Sequence, residues 1–205
     1  MTTLGMFDGP EGATPLESDD VAGLIPTWAA TREDLNAAEQ ANVLKAVQWA
    51  SSRRGPHSLD KILTEKIVKD LHRRMFGDVW KWAGEFRRHA TNIGTDWPHI
   101  PMQLHDLLAD VIIQTADLKK LPWPSDELAA RFHHRLVLIH PFPNGNGRHA
   151  RLAADLLIAA LGEPYFTWGT EDLGASGGAR RAYLDALRHA DRTQDFAPLV
   201  AFARS

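Results

Sequence analysis

A short run of turn-forming residues, 141–147, separates two segments whose apolar residues recur with helical spacing, 125–140 and 148–161. Proline cannot continue a helix, and glycine permits the left-handed backbone that a tight turn needs. The sequence therefore predicts two helices joined by a turn that contains asparagine and glycine. The first amides of the second helix lack partners inside that helix and open onto the turn.

Helical periodicity also covers most of the remaining chain. It predicts helices over about 31–50, 58–77, 101–121, 178–190 and 196–204. Between them, 79–100 contains three tryptophans, two glycines and a proline among short β-favouring pieces. This composition predicts a loop followed by a small β-hairpin. The expected fold class is therefore mostly α with one small hairpin.

The length of the chain, 205 residues, allows one domain and an additional arm. Residues 1–30 contain three prolines, four glycines and a cluster of acids. They show neither helical nor strand periodicity, which predicts an extended N-terminal arm. Residues 31–205 are then expected to form one α-helical domain.

Composition argues against several classes of function. The chain has no cysteine, which excludes disulfides and thiolate metal sites, and its net charge of −3 is spread along the sequence. We therefore expect no nucleic acid partner. Every apolar run in the sequence is far shorter than the roughly 20 residues of a membrane span, so no membrane partner is expected. These features predict a cytoplasmic protein.

The turn before the second helix has the properties of a phosphate site. Amides at a helix N-terminus suit phosphate oxygens. Arg148 and Arg151 follow one helical turn apart, where their guanidinium groups can bind separate phosphates. His140, on the other side of the turn, is the one nearby side chain that can take up a proton near pH 7. The pattern predicts a polyphosphate ligand beside a general base.

The segment His140-Pro-Phe-Pro-Asn-Gly-Asn-Gly-Arg-His-Ala-Arg151 resembles the motif of the Fic (Fic/DOC) family. Trp82-Ala-Gly-Glu-Phe-Arg87 resembles the stretch before the flap hairpin of that family. The helix order over about 58–165 also follows the family core, and within the family the chain is most similar to the mobile mystery protein B subfamily. The resemblance implies a Fic-like helical bundle with a small β-hairpin flap.

This resemblance implies a protein nucleotidyltransferase of the AMPylase type. Such an enzyme moves a nucleoside monophosphate from ATP or a related nucleotide to a Ser, Thr or Tyr hydroxyl of a target protein, with His140 as the catalytic base. The residues implied to hold the phosphates are Gly145, Asn146, Gly147, Arg148 and Arg151. The flap is implied to bind the target by strand addition through Thr91, Asn92, Ile93, Gly94 and Trp97.

One position departs from the family motif, because Asn144 stands where the family has an Asp or Glu that helps to bind Mg²⁺. A neutral amide oxygen is a weaker ligand for this ion, so a weakened Mg²⁺ site is expected. The inhibitory Ser/Thr-x-x-x-Glu-Gly/Asn helix of the family also has no match in the sequence. The resemblance then implies either a separate small inhibitory, antitoxin-like protein or no restraint of this type.

Other interpretations stay open at the level of the sequence. One alternative is a metal-dependent phosphohydrolase with histidine and aspartate ligands, for which His105-Asp106 is the best fragment. A Fic-like module that carries Asn144 can also bind nucleotide or a partner without transfer, or move another group such as phosphate or phosphocholine. Arg151 can alternatively form a simple ion pair with Asp155, one helical turn further along.

Overall fold

The computed structural model describes residues 14–52, 54–169 and 177–205. In chain order its helices are α1 (Ser18–Val21), α2 (Arg32–Ser51), α3 (Leu59–Ile62), α4 (Glu65–Phe76), α5 (Ile100–Gln114), α6 (Ser125–Ile139), α7 (Asn146–Ala160), α8 (Gly178–Thr193) and α9 (Ala197–Ala203), with a 3-10 turn at Trp97–His99. The mostly α fold is confirmed. Across these ranges, the one β pairing is an isolated bridge between Leu24 and Trp80, and no helix is long and apolar enough to cross a bilayer.

The single helix predicted over 58–77 is two helices, α3 and α4. Leu63 leaves the helical conformation with φ −85° and ψ 54°. The Thr64 hydroxyl then accepts a hydrogen bond from the N–H of Ile67 at 3.2 Å and caps the start of α4. A threonine at an N-cap satisfies one of the amides that a new helix leaves unpaired. This local contact interrupts an apolar pattern that is continuous in the sequence.

The predicted β-hairpin near 89–100 is wrong, because in the described residues this segment forms turns and contains no strand. The carbonyl groups of His89 and Thr95 accept hydrogen bonds from the guanidinium group of Arg87 instead of from a neighbouring strand. Gly94 turns the chain with a φ of 116°. A buried side chain therefore takes the place of the second strand, and local strand propensity cannot reveal that.

The core places the α6–α7 turn deep in the molecule. α6 and α7 lie against each other, and their buried side chains include Phe132, Leu136 and Leu156. Phe142, in the turn itself, is fully buried and its ring stacks on His72 of α4 with 3.7 Å between the ring centroids. Burial of such a ring contributes roughly 1.5–3 kcal/mol. The turn is thus anchored to α4.

The described part of the N-terminal arm, 14–30, packs on the helical body. Leu16 is buried in the core, and the Trp82 indole N–H donates to the Asp20 carbonyl at 3.0 Å. Residues 1–13 of the expected arm lie outside the described residues. The segment that follows them reaches from the body to the α6–α7 turn.

Three histidines, His72, His133 and His149, are completely buried among these helices. Burial lowers the pKa of His133 to about 3 and that of His149 to about 4, and it also lowers the pKa of His72. The Nδ1 of His72 accepts the N–H of Gly84 at 3.0 Å. Its Nε2 therefore carries the hydrogen and donates to the carbonyl of Asn144 at 3.0 Å. These rings are neutral in the folded protein.

We expect the free energy of unfolding to decrease as the pH falls from about 6.5 towards about 4. In this window the unfolded chain protonates imidazoles that the folded chain keeps neutral, because the folded pKa of His133 and of His149 is lowered. Each such histidine contributes a loss of about 1.4 kcal/mol per pH unit below its unfolded pKa. Urea unfolding at several pH values measures the slope.

Two variants test the origin of that slope. His133→Phe removes one buried imidazole and should make the pH dependence less steep. His105→Gln, at an exposed position, should leave it unchanged. A stability profile that is flat between about pH 6.5 and 4.5 would contradict the prediction.

Candidate active site

A cavity at the N-terminal end of α7 contains most of the residues that the sequence singles out. Its lining includes the expected base and the expected phosphate turn: His140, Asn144, Gly145, Asn146, Gly147, Arg148 and Arg151. Of the five expected flap residues, Ile93 lines this cavity, whereas Thr91, Asn92, Gly94 and Trp97 are outside its lining. Folding thus brings the motif together and adds one flap side chain to it.

His140 ends α6 in a left-handed backbone conformation with φ 53° and ψ 59°. This conformation is unfavourable by roughly 1–2 kcal/mol for most residues, so neighbouring bonds have to compensate. The Arg87 Nε–H donates to the His140 carbonyl at 2.6 Å, and the Arg87 backbone N–H donates to the Pro141 carbonyl at 2.9 Å. Gly94 leaves room here, since a Cβ at this position would lie 2.6 Å from the His140 Cβ. These contacts set the direction of the His140 side chain.

The imidazole of His140 is a neutral base with a defined tautomer. Its Nδ1 lies 3.1 Å from the Val137 carbonyl, which can only accept, so Nδ1 carries the hydrogen. Its Nε2 therefore offers a lone pair and accepts the Thr14 hydroxyl at 2.7 Å. Burial, opposed by the bond to Val137 and aided by the charge of Arg87, lowers the pKa of His140 to about 4. The ring is unprotonated at neutral pH, as a general base must be.

Side-chain hydrogen bonds shape the turn before α7. The Asn146 Oδ1 accepts the Phe142 N–H at 2.9 Å, and its Nδ2 donates to the Phe142 carbonyl at 2.7 Å. This side chain is therefore bonded within the turn, whereas the first backbone amides of α7, which begins at Asn146, have no partner inside the helix. Gly145 has a φ of 77°, and a Cβ there would lie 2.5 Å from the ring of Phe76. The turn accepts glycine alone at this position.

The charges around the cavity favour an anion. Among the described residues that line it, four are arginines and none is Asp or Glu. Arg148 and Arg151 belong to α7 as expected, whereas Arg32 of α2 and Arg180 of α8 were not predicted from the sequence. Nothing in the local sequence marks these two, because only the tertiary fold brings α2 and α8 to the turn. Together with the first amides of α7 they suit a polyanion.

Arg148 is fixed by a buried carboxylate. Its guanidinium group donates to the Glu39 carboxylate at 2.6 Å, and the other oxygen of Glu39 accepts the Trp80 indole N–H at 2.8 Å. Removing one member of such a pair leaves the other charge without its partner in a buried place, which is strongly destabilising. Glu39 therefore holds Arg148 beside the amides of α7, and this contact spans two distant parts of the sequence.

Arg151 faces the cavity from the next turn of α7. Its guanidinium group lies over the Tyr183 ring, 5.4 Å from the ring centroid. Burial lowers its pKa, but a guanidinium group stays charged at any physiological pH. Asp155 accepts the Trp168 indole N–H at 2.9 Å, and burial raises the pKa of Asp155 to about 7. Arg151 thus contributes its charge to the cavity, and Asp155 is bonded to Trp168.

The donor set around the turn does not fit a resident Mg²⁺ site. The Asn144 Oδ1 accepts the Gly145 N–H at 2.7 Å, and its Nδ2 donates to the Thr14 carbonyl at 3.0 Å. Within the described ranges, no three His, Asp or Glu side chains are grouped as metal ligands would be. His105 and Asp106, the phosphohydrolase fragment, are exposed on α5.

The chain is similar in sequence to known proteins. Residues 62–158 match the family model described as the Fic/DOC family. This part of the chain is a Fic/DOC-family domain. The chain is 35% identical over 146 residues to the protein adenylyltransferase fic-1 of Caenorhabditis briggsae, and 34% identical over 141 residues to the protein adenylyltransferase Fic of Aedes aegypti. These matches cover 71% and 68% of this chain but 26% and 27% of those relatives, so the chain spans about a quarter of their length.

Solved structures share the Fic fold. The BepC protein of Bartonella tribocorum, solved with bound AMPPNP, superposes with a TM-score of 0.67 at 16% identity and covers 92% of this chain and 97% of that chain. A Fic-1 fragment of Caenorhabditis elegans gives a TM-score of 0.62 at 24% identity, with 89% of this chain and 50% of that chain covered. At these identities the likeness concerns the fold.

We expect Arg87→Met to lower the free energy of unfolding by roughly 3 kcal/mol or more, because several buried carbonyl groups lose their donor. Arg88→Met removes the same charge from the exposed neighbouring residue and should change stability by less than about 0.5 kcal/mol. Urea unfolding of both variants measures the difference. Equal effects of the two substitutions would show that Arg87 does not hold the end of α6.

Proposed function

We propose that this protein is a Fic-type protein adenylyltransferase, which transfers a nucleoside monophosphate from ATP or a related triphosphate to a Ser, Thr or Tyr hydroxyl of a protein. One observation carries the proposal: a hydroxyl group donates to the free lone pair of His140 Nε2 at 2.7 Å, inside a cavity that arginines line. The relatives named protein adenylyltransferase support the same activity.

The proposed reaction begins with proton transfer to His140. As the acceptor oxygen attacks the α-phosphorus, its proton moves to His140 Nε2, which the Val137 contact keeps available. The bond between the α-phosphorus and the bridging oxygen to the β-phosphorus breaks, and pyrophosphate leaves. A positioned general base of this kind contributes typically about 10²–10⁴-fold to the rate.

The phosphates of the nucleotide are proposed to lie along the start of α7. The backbone amides of Asn146 and Gly147 face them, and Gly145 gives the turn its left-handed bend. Arg148, which Glu39 fixes, is assigned to the β-phosphate, and Arg151 is assigned to the γ-phosphate. Fixed donors of this type stabilise charge that moves to the leaving pyrophosphate.

Mg²⁺ enters this proposal as part of the nucleotide substrate. Since the cavity lining has no carboxylate among the described residues, phosphate oxygens and water are left to bind the ion. Asn144 is its one proposed protein contact, and this contact is weak because both ends of the amide are engaged. The four arginines supply the positive charge that the protein itself brings to the phosphates.

The target protein is proposed to bind along the flap segment, which comprises Thr91, Asn92, Ile93, Gly94 and Trp97. Two features support this role. Ile93 lines the cavity beside His140, and the side chains of Ile93 and Trp97 are both 44% exposed. Exposed aromatic and aliphatic side chains beside a site favour protein recognition. The Arg87 guanidinium group donates to the backbone carbonyls of His89 and Thr95 and so holds this segment against the end of α6.

The proposal also includes the cellular setting. We place the protein in the cytoplasm, with protein targets and neither nucleic acid nor membrane as partners. A separate small inhibitory protein belongs to the same proposal, since the sequence has no match to the inhibitory motif of the family. Membership of the mobile mystery protein B subfamily is proposed on the resemblance around His140 and Arg151.

We expect label that depends on the added chain to appear on lysate proteins from α-labelled ATP but not from γ-labelled ATP, with the lysate alone as the background. His140→Ala should reduce this label by about 10²-fold or more. His140→Asn provides a second variant, because asparagine tolerates the left-handed backbone at this position. His105→Ala, on the exposed face of α5, serves as the control and should leave labelling unchanged.

The same assay separates the alternatives. Label from the γ-position that depends on the added chain would indicate phosphate transfer, and loss of activity in His105→Ala alone would indicate a phosphohydrolase. Calorimetry that detects ATP binding without any labelled protein would indicate a nucleotide-binding module. Each of these results would refute adenylyl transfer.

A pair of adjacent arginines tests the anion site. Arg180 lines the cavity, whereas Arg181 is exposed outside it. We expect Arg180→Ala to raise the KM for ATP by about 10-fold, since a charged hydrogen bond is worth roughly 1.5–3 kcal/mol. Arg181→Ala should leave the KM unchanged. Initial labelling rates at several ATP concentrations give both values, and a similar KM for the two variants would exclude Arg180 from nucleotide binding.

A further inference from the structure

The N-terminal segment places a hydroxyl group of the protein itself against the general base. The Thr14 Oγ1 lies 2.7 Å from His140 Nε2. The backbone carbonyl of Thr14 also accepts the Asn144 Nδ2–H at 3.0 Å. His140 therefore binds the side chain of Thr14, and Asn144 binds the backbone of Thr14. An acceptor hydroxyl needs this same position to lose its proton to His140.

The donor and the acceptor in the hydrogen bond between Thr14 and His140 are fixed. Because His140 Nδ1 keeps its hydrogen for the Val137 carbonyl, His140 Nε2 has to accept, and Thr14 has to donate. The other hydroxyl in the described part of the cavity lining belongs to Tyr183. That hydroxyl lies 3.1 Å from the Nε2 of His133 and has its hydrogen bond there. Thr14 is thus the hydroxyl that faces the base.

The chain that follows Thr14 is anchored close by. Leu16 is buried in the core two residues later. The carbonyl of Asp20 accepts the Trp82 indole N–H at 3.0 Å, and the Ile25 N–H donates to the Val79 carbonyl. A reacting group that is held in this way reaches an effective concentration far above that of a free partner. The fold therefore delivers Thr14 to the site within one molecule.

We propose that Thr14 is a modification site, and that the protein transfers a nucleoside monophosphate to its own Thr14 hydroxyl in cis. This inference rests on the proposed adenylyltransferase function. The Thr14 Oγ1 forms a bond to the α-phosphorus, and the bond from that phosphorus to the bridging oxygen breaks. Pyrophosphate leaves, and the hydroxyl proton moves to His140 Nε2. ATP supplies the transferred group, so no further reactant is needed.

The test is labelling of the purified full chain with α-labelled ATP and Mg²⁺, followed by peptide mapping with mass spectrometry. We expect the adenylyl mass on the peptide that contains Thr14. Thr14→Val, which keeps the shape and removes the hydroxyl, should lose this label, and Thr14→Ser should retain it. Ser18→Ala removes an exposed hydroxyl four residues away and should label like the unchanged protein. His140→Asn should lose the label together with all other transfer.

Two outcomes distinguish this inference from the function on which it rests. If lysate proteins or other residues are labelled while Thr14 is not, self-modification is overturned and adenylyl transfer stands. If no protein is labelled under any condition, both fail. Circular dichroism of Thr14→Val confirms that a loss of label does not reflect unfolding.

The cis route makes a separate kinetic prediction. The fraction of chains labelled per unit time should be independent of protein concentration, because acceptor and base belong to one molecule. A mixture of the Thr14→Val variant, which keeps the general base, with the His140→Asn variant, which keeps the acceptor hydroxyl, should give no label on Thr14. A rate that rises in proportion to concentration, or clear labelling in the mixture, would overturn transfer in cis.

Discussion

The buried guanidinium group of Arg87 at the end of α6 is the contact on which the site depends. It donates to the carbonyl of His140 and also to the carbonyls of His89 and Thr95, which follow Arg87 in the chain. A cation at a helix C-terminus is favourable, and here it also satisfies carbonyl groups that no helix or sheet would pair. Burial lowers the pKa of Arg87, yet the group stays charged. One side chain thereby fixes the base and the flap segment together.

The electrostatics of the cavity follow from residues that are far apart in the sequence. Arginines from α2, α7 and α8 meet at one helix N-terminus, and the carboxylate nearest to Arg148 is Glu39, which is bonded to it. This arrangement concentrates positive charge while one arginine remains fixed. With a neutral Asn144 in the turn, the positive charge around the cavity comes from guanidinium groups and from the first amides of α7, and in the proposed reaction the nucleotide brings its own cation.

Sequence reasoning succeeded where the determining contacts are local. The capping box of Thr31 with Asp34 marks the start of α2, and the glycines of the turn mark the start of α7. It failed where contacts between distant residues determine the structure. Arg87 binds the carbonyl groups of 89–95 in place of a neighbouring strand, and the packing of α8 brings Arg180 to the cavity. Thr14 was also invisible, because nothing within the first 30 residues indicates that one of them meets His140. Pairings across the chain are not encoded in local periodicity.

The contact between Gly145 and Phe76 restricts which substitutions this turn can accept during evolution. A methyl group at 145 would overlap the Phe76 ring, while a smaller residue at 76 alone would leave an empty space under the turn. A substitution at either position alone is therefore unfavourable, and a tolerated change has to replace both residues together. The helical scaffold and the backbone of the turn are therefore expected to be inherited together.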